Sequence, residues 1–143
     1  MARTKIDLPD HFSFTCHIPV RITDINYGGH VGNDTILTIL HEARMQFFKN
    51  IDHTEMNFAG TGMLMADVAI EFRSELFYGD IVIAFVTAGE ISKIGFELLY
   101  KLEKEINGRA ILVAKAKTGM ICYDYENKKI AALPEEGKQK LLR

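Results

Sequence analysis

One stretch of the chain carries the 3.6-residue periodicity of a long helix, and that helix is too apolar to lie on a surface. From Asp34 to about Asn50, Ile36, Ile39, Leu40, Ala43 and Phe47 fall on one stripe. Leu37, Met45 and Phe48 lie off it, so Thr35, Thr38, Glu42, Gln46 and Lys49 make a narrow polar face. A helix that is apolar over more than half its circumference must be covered on more than one side. Asn33 or Asp34 is a suitable N-cap. No second long helix is legible, so the cover has to come from strands.

The rest of the chain reads as strands. Phe12 to Ile22 is rich in β-formers, with Pro19 marking an edge or a bulge. Leu64, Ala66, Val68, Ile70 and Phe72 alternate with Met65, Asp67, Ala69, Glu71 and Arg73, the pattern of a half-buried strand. Ile81 to Ala88 is apolar on both faces and suits a central strand. Ile94 to Leu102 alternates again, Asn107-Gly108 predicts a tight hairpin, and Arg109 to about Tyr125 is a long strand. Asn127-Lys128 turns the chain, and Pro134 opens a short C-terminal helix. The order strand, helix, four strands predicts an α+β fold, an antiparallel sheet of about five strands wrapped around one helix. One helix cannot cover both faces and both edges of such a sheet. A homodimer or a dimer of dimers is therefore expected.

A length of 143 residues, 48% of them hydrophobic, predicts a single domain over 1–143. Net charge is -2, with 17 basic and 19 acidic residues scattered along the chain, which argues against disorder and against a nucleic-acid partner. Met1 to Asp10 lacks the apolar core of a signal peptide, and no run approaches the roughly 20 apolar residues that span a bilayer. Cys16 and Cys122 are far apart and have no partner at metal-ligand spacing. These features predict a reduced, cytoplasmic protein with no membrane partner, no metal and two cysteines packed as small hydrophobes.

Candidate chemistry concentrates before the helix, in Arg21-Ile22-Thr23-Asp24-Ile25-Asn26-Tyr27-Gly28-Gly29-His30-Val31-Gly32-Asn33. Three glycines in five residues bend the backbone sharply and feed a helix N-terminus. Free N–H groups and the positive end of the helix dipole converge there, a place for an anion or a polarised carbonyl oxygen. A purely structural turn reads equally well from the same residues.

Arg21, Asp24, Gly29, His30, Val31 and Asn33, followed by Glu42-Ala43-Arg44 in the helix and by Tyr78-Gly79-Asp80, sit at the offsets of a known motif. The chain resembles the hotdog-fold acyl-CoA thioesterases of the 4-hydroxybenzoyl-CoA thioesterase type. The resemblance implies a hotdog fold and hydrolysis of an acyl thioester to free acid and CoA, without metal or cofactor. It also implies an oxyanion hole at the helix N-terminus, with Tyr27, Gly29, His30, Val31, Gly32 and Asn33 around the thioester.

One departure falls at the usual catalytic aspartate, where this chain has Asn26. An amide is neither a general base nor a nucleophile at neutral pH. Three readings follow. Glu42, 16 residues on, supplies the carboxylate across a subunit boundary while Asn26 orients water or the carbonyl. Alternatively Asp24 is the carboxylate, or caps a turn. In the third, the chain binds acyl thioesters or oligomerises without catalysis. A hotdog hydroxyacyl dehydratase using His30 and Glu42 is a further enzyme reading. For the CoA phosphates the candidates are Arg73 and Ser74, and Lys93 and Gly95 in the Ser92–Gly95 hairpin. Phe47, Phe48, Phe58, Met63 and Met65 are candidates for an acyl slot, with core packing as the alternative.

Overall fold

The apolar circumference of the long helix is covered as its pattern demands. In the computed structural model, which describes residues 3–143, this helix is α1 (Asn33–Asn50), and a curved antiparallel sheet wraps around it. Chain order is β1 (Phe14–Pro19), a 3-10 turn (Ile22–Asp24), α1, β2 (Gly62–Phe72), β3 (Ile81–Ile91), β4 (Gly95–Ile106), β5 (Arg109–Asp124), β6 (Lys129–Ile130) and α2 (Glu135–Leu141). The arrangement is the hotdog fold. Sheet order is β1-β3-β4-β5-β2, with the two-residue β6 adding to β5 as a sixth strand.

The expected meander holds for β3-β4-β5, but β2 lies at the far edge beside β5. Antiparallel pairing of Gly62 with Tyr123 through Phe72 with Ala114, broken by a bulge at Met65/Asp67, fixes it there. Pro19 ends the other edge strand, where a missing N–H removes no ladder bond. Asn107 and Gly108 both have positive φ (53° and 77°), the geometry of a two-residue hairpin.

The core lies between α1 and the concave face of the sheet. Ile36, Ile39, Leu40, Ala43, Phe47 and Phe48 of α1 are all buried. They meet Val82, Val86, Leu98, Tyr100, Ala116 and Met120 from the sheet. Phe48 stacks against Phe58 and Phe96 at 5.3 and 6.2 Å between ring centroids. Four residues expected as an acyl slot, Phe47, Phe48, Phe58 and Met63, are therefore core. Met65 is 40% exposed.

β2 departs from the half-buried pattern. Met65, Val68 and Phe72 point to the helix side of the sheet but stay exposed, because α1 does not reach that edge. The other helix boundary also shifts. Gly32, rather than Asn33 or Asp34, is the N-cap, and no side chain caps α1.

Gly95 illustrates how tightly the strands approach. A Cβ there would collide with the carbonyl oxygen of Met120 on β5. We expect Gly95→Ala to lower unfolding free energy by about 1–3 kcal/mol, the range for overpacking. Urea denaturation measures it, and an unchanged midpoint would contradict the close backbone contact.

Candidate active site

Residues 25–31 form a closed loop at the entry to α1. Ile25 bridges Val31, Asn26 N–H donates to the His30 carbonyl at 3.0 Å, and Gly29 N–H donates to the Asn26 carbonyl at 3.1 Å. Gly29 has φ 87°, a conformation that favours glycine. The Asn26 side-chain oxygen accepts from Gly28 N–H at 2.9 Å, so the residue at the usual aspartate position fastens its own loop. Tyr27 stands fully exposed at the tip.

Not every N–H expected in the oxyanion hole is free. Val31 N–H donates to the Leu76 carbonyl at 2.9 Å, pinning the loop to the segment after β2. The N–H groups of His30, Gly32, Asn33 and Asp34 have no protein acceptor among the described residues. They are the donors left at the positive end of α1.

That end opens on a groove of about 300 Å³ lined by His30, Val31, Asn33, Phe72, Arg73 and Ser74. The structure thus brings two separately predicted groups together, the glycine loop and the Arg73-Ser74 pair. Lys93 and Gly95 are not part of it. Their hairpin lies at the opposite end of the sheet, where Phe96 meets Phe48 near the C-terminus of α1 and Leu133 N–H bonds the Lys93 carbonyl. The Tyr78-Gly79-Asp80 turn has a fastening role. Asp80 accepts from Phe77 N–H at 2.9 Å and from the buried Lys104 ammonium at 3.2 Å.

Both flanks of α1 are open. On the β1 side lies a cleft of about 370 Å³, lined by His17, Ile18, Pro19, Asp24, Ile39, His41, Glu42 and Met45. Glu42 is exposed there, and its carboxylate accepts from the Gln46 amide at 2.8 Å. Asp24 lines the same cleft but is buried, and it accepts from Arg21 N–H at 2.8 Å while pairing with the Arg21 guanidinium at 3.5 Å. That is a turn-capping geometry. Beyond Met45 and Gln46 the cleft continues to Phe14 and His53, whose Nε2 is buried without a partner among the described residues.

On the β2 side is a groove of about 220 Å³ lined by Leu37, His41, Arg44, Met65 and Thr118. Here the structure shows a cluster that sequence reasoning missed. Arg44 is buried and its Nε donates to Glu55 at 2.6 Å. Its Nη1 donates to the Tyr100 hydroxyl at 3.3 Å, and that hydroxyl shares a hydrogen bond with Thr118 at 2.7 Å. His41 Nε2 lies 3.3 Å from the same Glu55 carboxylate. Burial pushes the Tyr100 phenol above its ordinary range, while Arg44 pulls it down. The available signal was Arg44 itself, four residues after Leu40 and four before Phe48 and so on the face of the helix that those two apolar residues occupy.

Chemically, the loop offers hydrogen bonds to a developing oxyanion, and α1 offers a carboxylate and an imidazole for proton transfer. Among the described residues, no group of three or more His, Cys, Asp or Glu side chains is placed to hold a metal ion. No helix among them is long and apolar enough to cross a membrane.

Comparison with known proteins adds a family. A family model described as the thioesterase-like superfamily matches residues 20–141. A 1,4-dihydroxy-2-naphthoyl-CoA hydrolase of Nostoc punctiforme is 25% identical over 130 residues, covering 87% of this chain and 83% of its own. Among solved structures, a thioesterase superfamily protein from Jannaschia sp. CCS1 superposes with a TM-score of 0.81 at 14% identity, covering 94% of this chain and 84% of that one. A 1,4-dihydroxy-2-naphthoyl-CoA thioesterase from Synechocystis gives 0.79 at 22% identity, covering 90% and 95%. The structural matches share the fold.

Both cysteines are buried in the core. Burial pushes the Cys16 thiol up to about 11, with the negative charge of Glu42 adding to the effect, and burial alone pushes Cys122 up to about 11. Both are free. A raised folded-state pKa disfavours the thiolate in the fold, so this stability is present below the ordinary value of 9.0 and is lost as pH rises through 11. We expect Cys16→Ala/Cys122→Ala to flatten the fall in urea midpoint between pH 9 and 11 relative to the wild type. Parallel curves would contradict the buried, un-ionised thiols.

Proposed function

Since the chain belongs to the thioesterase-like superfamily, we propose that it hydrolyses acyl-CoA thioesters and that each active site is assembled from two copies of the chain. The observation that carries the second half is a distance. The free N–H groups sit at the N-terminus of α1, and Glu42 lies nine residues beyond Asn33. At roughly 1.5 Å per residue the two are about 13 Å apart along the axis. Oxyanion donors and a general base must both come within hydrogen-bonding distance of one reacting centre. One copy of α1 cannot supply both, whereas the loop of one copy beside the α1 of another can.

The exposed edge of β2 fits such a pairing. Met65, Val68 and Phe72 form an apolar row on a strand whose outer edge has no partner among the described residues, and a second copy would cover it. In the proposed reaction the thioester oxygen rests on the N–H groups of His30, Gly32 and Asn33. A base on the partner's α1 takes a proton from water, and the water oxygen attacks the carbonyl carbon. The tetrahedral intermediate collapses by breaking the C–S bond, and the proton returns to the departing thiolate. Asn26 holds the loop in shape, which suits an amide that cannot itself act as the base.

Glu42 is the carboxylate we assign as base. Asp24 is engaged in capping its turn, and its geometry favours that role. A second reading has its own observation. His41 lines the openings on both flanks of α1, including the one facing β2, and its Nε2 lies 3.3 Å from the Glu55 carboxylate. An imidazole held by a carboxylate is a competent general base. The resemblance to the 4-hydroxybenzoyl-CoA type and the naphthoyl-CoA relatives make aromatic acyl-CoA esters the first substrates to try.

The test is steady-state hydrolysis with release of free thiol as the readout. We expect Glu42→Gln to lower kcat by about a hundredfold or more, as for loss of a general base, with an unchanged oligomeric state. A comparable loss in His41→Gln, with Glu42→Gln near normal, would move the base to His41. Tight acyl-CoA binding without turnover in the wild type would overturn the enzymatic reading in favour of a binding module.

A further inference from the structure

Beyond the loop groove, a second recess continues past Phe72 and Arg73. It has a volume of about 590 Å³ and is lined by Arg3, Lys5, Ile6, Asp7, Phe72, Arg73 and Lys115 among others. The N-terminal segment forms one wall and is docked by its apolar residues. Ile6 is buried, and Phe12 packs on Phe85 of β3 at 5.8 Å between centroids. Ile6 N–H donates to one oxygen of Glu71 at 3.3 Å, and the other oxygen of Glu71 holds Arg73 Nε at 2.9 Å.

Beside these contacts stands a cation without an ion-pair partner among the described residues. Lys115 faces Glu71 directly across the β2–β5 ladder and is half-buried. Both Glu71 oxygens are already engaged, and Lys115 makes no ion pair among the described residues. Arg3 and Lys5 also lack ion-pair partners among the described residues. In a chain of net charge -2, four cations and two carboxylates meet in one recess. The excess of positive charge favours an anion there, most of all beside half-buried Lys115, whereas Arg3, Lys5 and Arg73 are exposed.

We propose that this recess binds the phosphate-bearing nucleotide end of the CoA thioester, with Arg3, Lys5, Arg73 and Lys115 contacting the phosphates. Glu71 is the positioning residue that holds both the N-terminal wall and the Arg73 guanidinium. The inference rests on the acyl-CoA reading above and deepens it. Its geometry agrees with the loop groove. Phe72 and Arg73 line both recesses, and Leu76, whose carbonyl anchors Val31, is three residues from Arg73. Three extended residues span at most about 11 Å, so a pantetheine arm has a short continuous path between the two. The recess also selects the carrier, because it contacts a part of CoA that a phosphopantetheine on a carrier protein lacks.

The experiment compares two thioesters of the same acyl group, one of CoA and one of phosphate-free pantetheine. We expect Lys5→Gln/Lys115→Gln to raise KM for the CoA ester at least about tenfold, with kcat retained, as for loss of two charged contacts. KM for the pantetheine ester should not move. Lys115→Arg should restore most of the CoA effect. Equal effects on both esters, or none on either, would overturn the proposal. Calorimetric titration with adenosine 3′,5′-bisphosphate separates the two levels. Binding weakened by the double variant, with no hydrolysis by the wild type, sinks the catalytic reading and keeps the recess. Hydrolysis without any difference in bisphosphate binding sinks the recess and keeps the enzyme.

Discussion

A backbone hydrogen bond from Val31 N–H to the Leu76 carbonyl pins the loop that enters α1 to the segment after β2, and the geometry of the candidate site depends on it. The bond ties the glycine loop to the segment that follows β2. It therefore places the unpaired N–H groups of His30, Gly32 and Asn33 beside Phe72, Arg73 and Ser74. Burial of α1 against the sheet makes the arrangement rigid. Ala43 and Phe48 are wholly buried and Leu40 nearly so, and the aromatic cluster of Phe48, Phe58 and Phe96 locks the other end of the helix. Pre-organised donors are effective because they need no rearrangement as charge develops.

Features set by local chemistry were legible in the sequence. The stripe of Ile36, Ile39, Leu40, Ala43 and Phe47 defines α1 because every third or fourth residue meets the same core. Asn107-Gly108 defines its hairpin because both residues tolerate positive φ. Features set by non-local pairing were not. β2 follows α1 in the chain but sits beside β5, and only the register of the assembled sheet reveals that. The burial of Arg44 depends on Glu55, Tyr100 and Thr118, three residues distant in sequence, which together satisfy a guanidinium that would otherwise be costly inside a fold. Gly95, read as a candidate phosphate-binding glycine, also answers to a backbone approach from Met120 that only the paired strands reveal.

The candidate site shows the same division. The glycine loop and its donors follow from a contiguous run of residues. The grouping of that loop with Arg73 and Ser74, and the separation of Lys93 from both, depend on tertiary placement. Asn26 makes sense in this frame as a loop fastener. Its carboxylate counterpart would have to come from elsewhere, and the length of α1 places Glu42 and His41 too far along the axis to serve their own loop. The open edge of β2 and its apolar row then fit a pair of chains better than a solitary one.

The proposed sharing of each site between two copies is most directly tested by complementation. A chain carrying Asn26→Ala and a chain carrying both His41→Ala and Glu42→Ala are each nearly inactive in this account. Mixed after co-expression, half the dimers would be heterodimers, and each heterodimer would regain one intact site. The account predicts recovery of about a quarter of wild-type activity, the statistical share for a two-fold symmetric dimer. If the mixture stays as inactive as its components while heterodimers are shown to form, each site is built within one chain and the account is wrong.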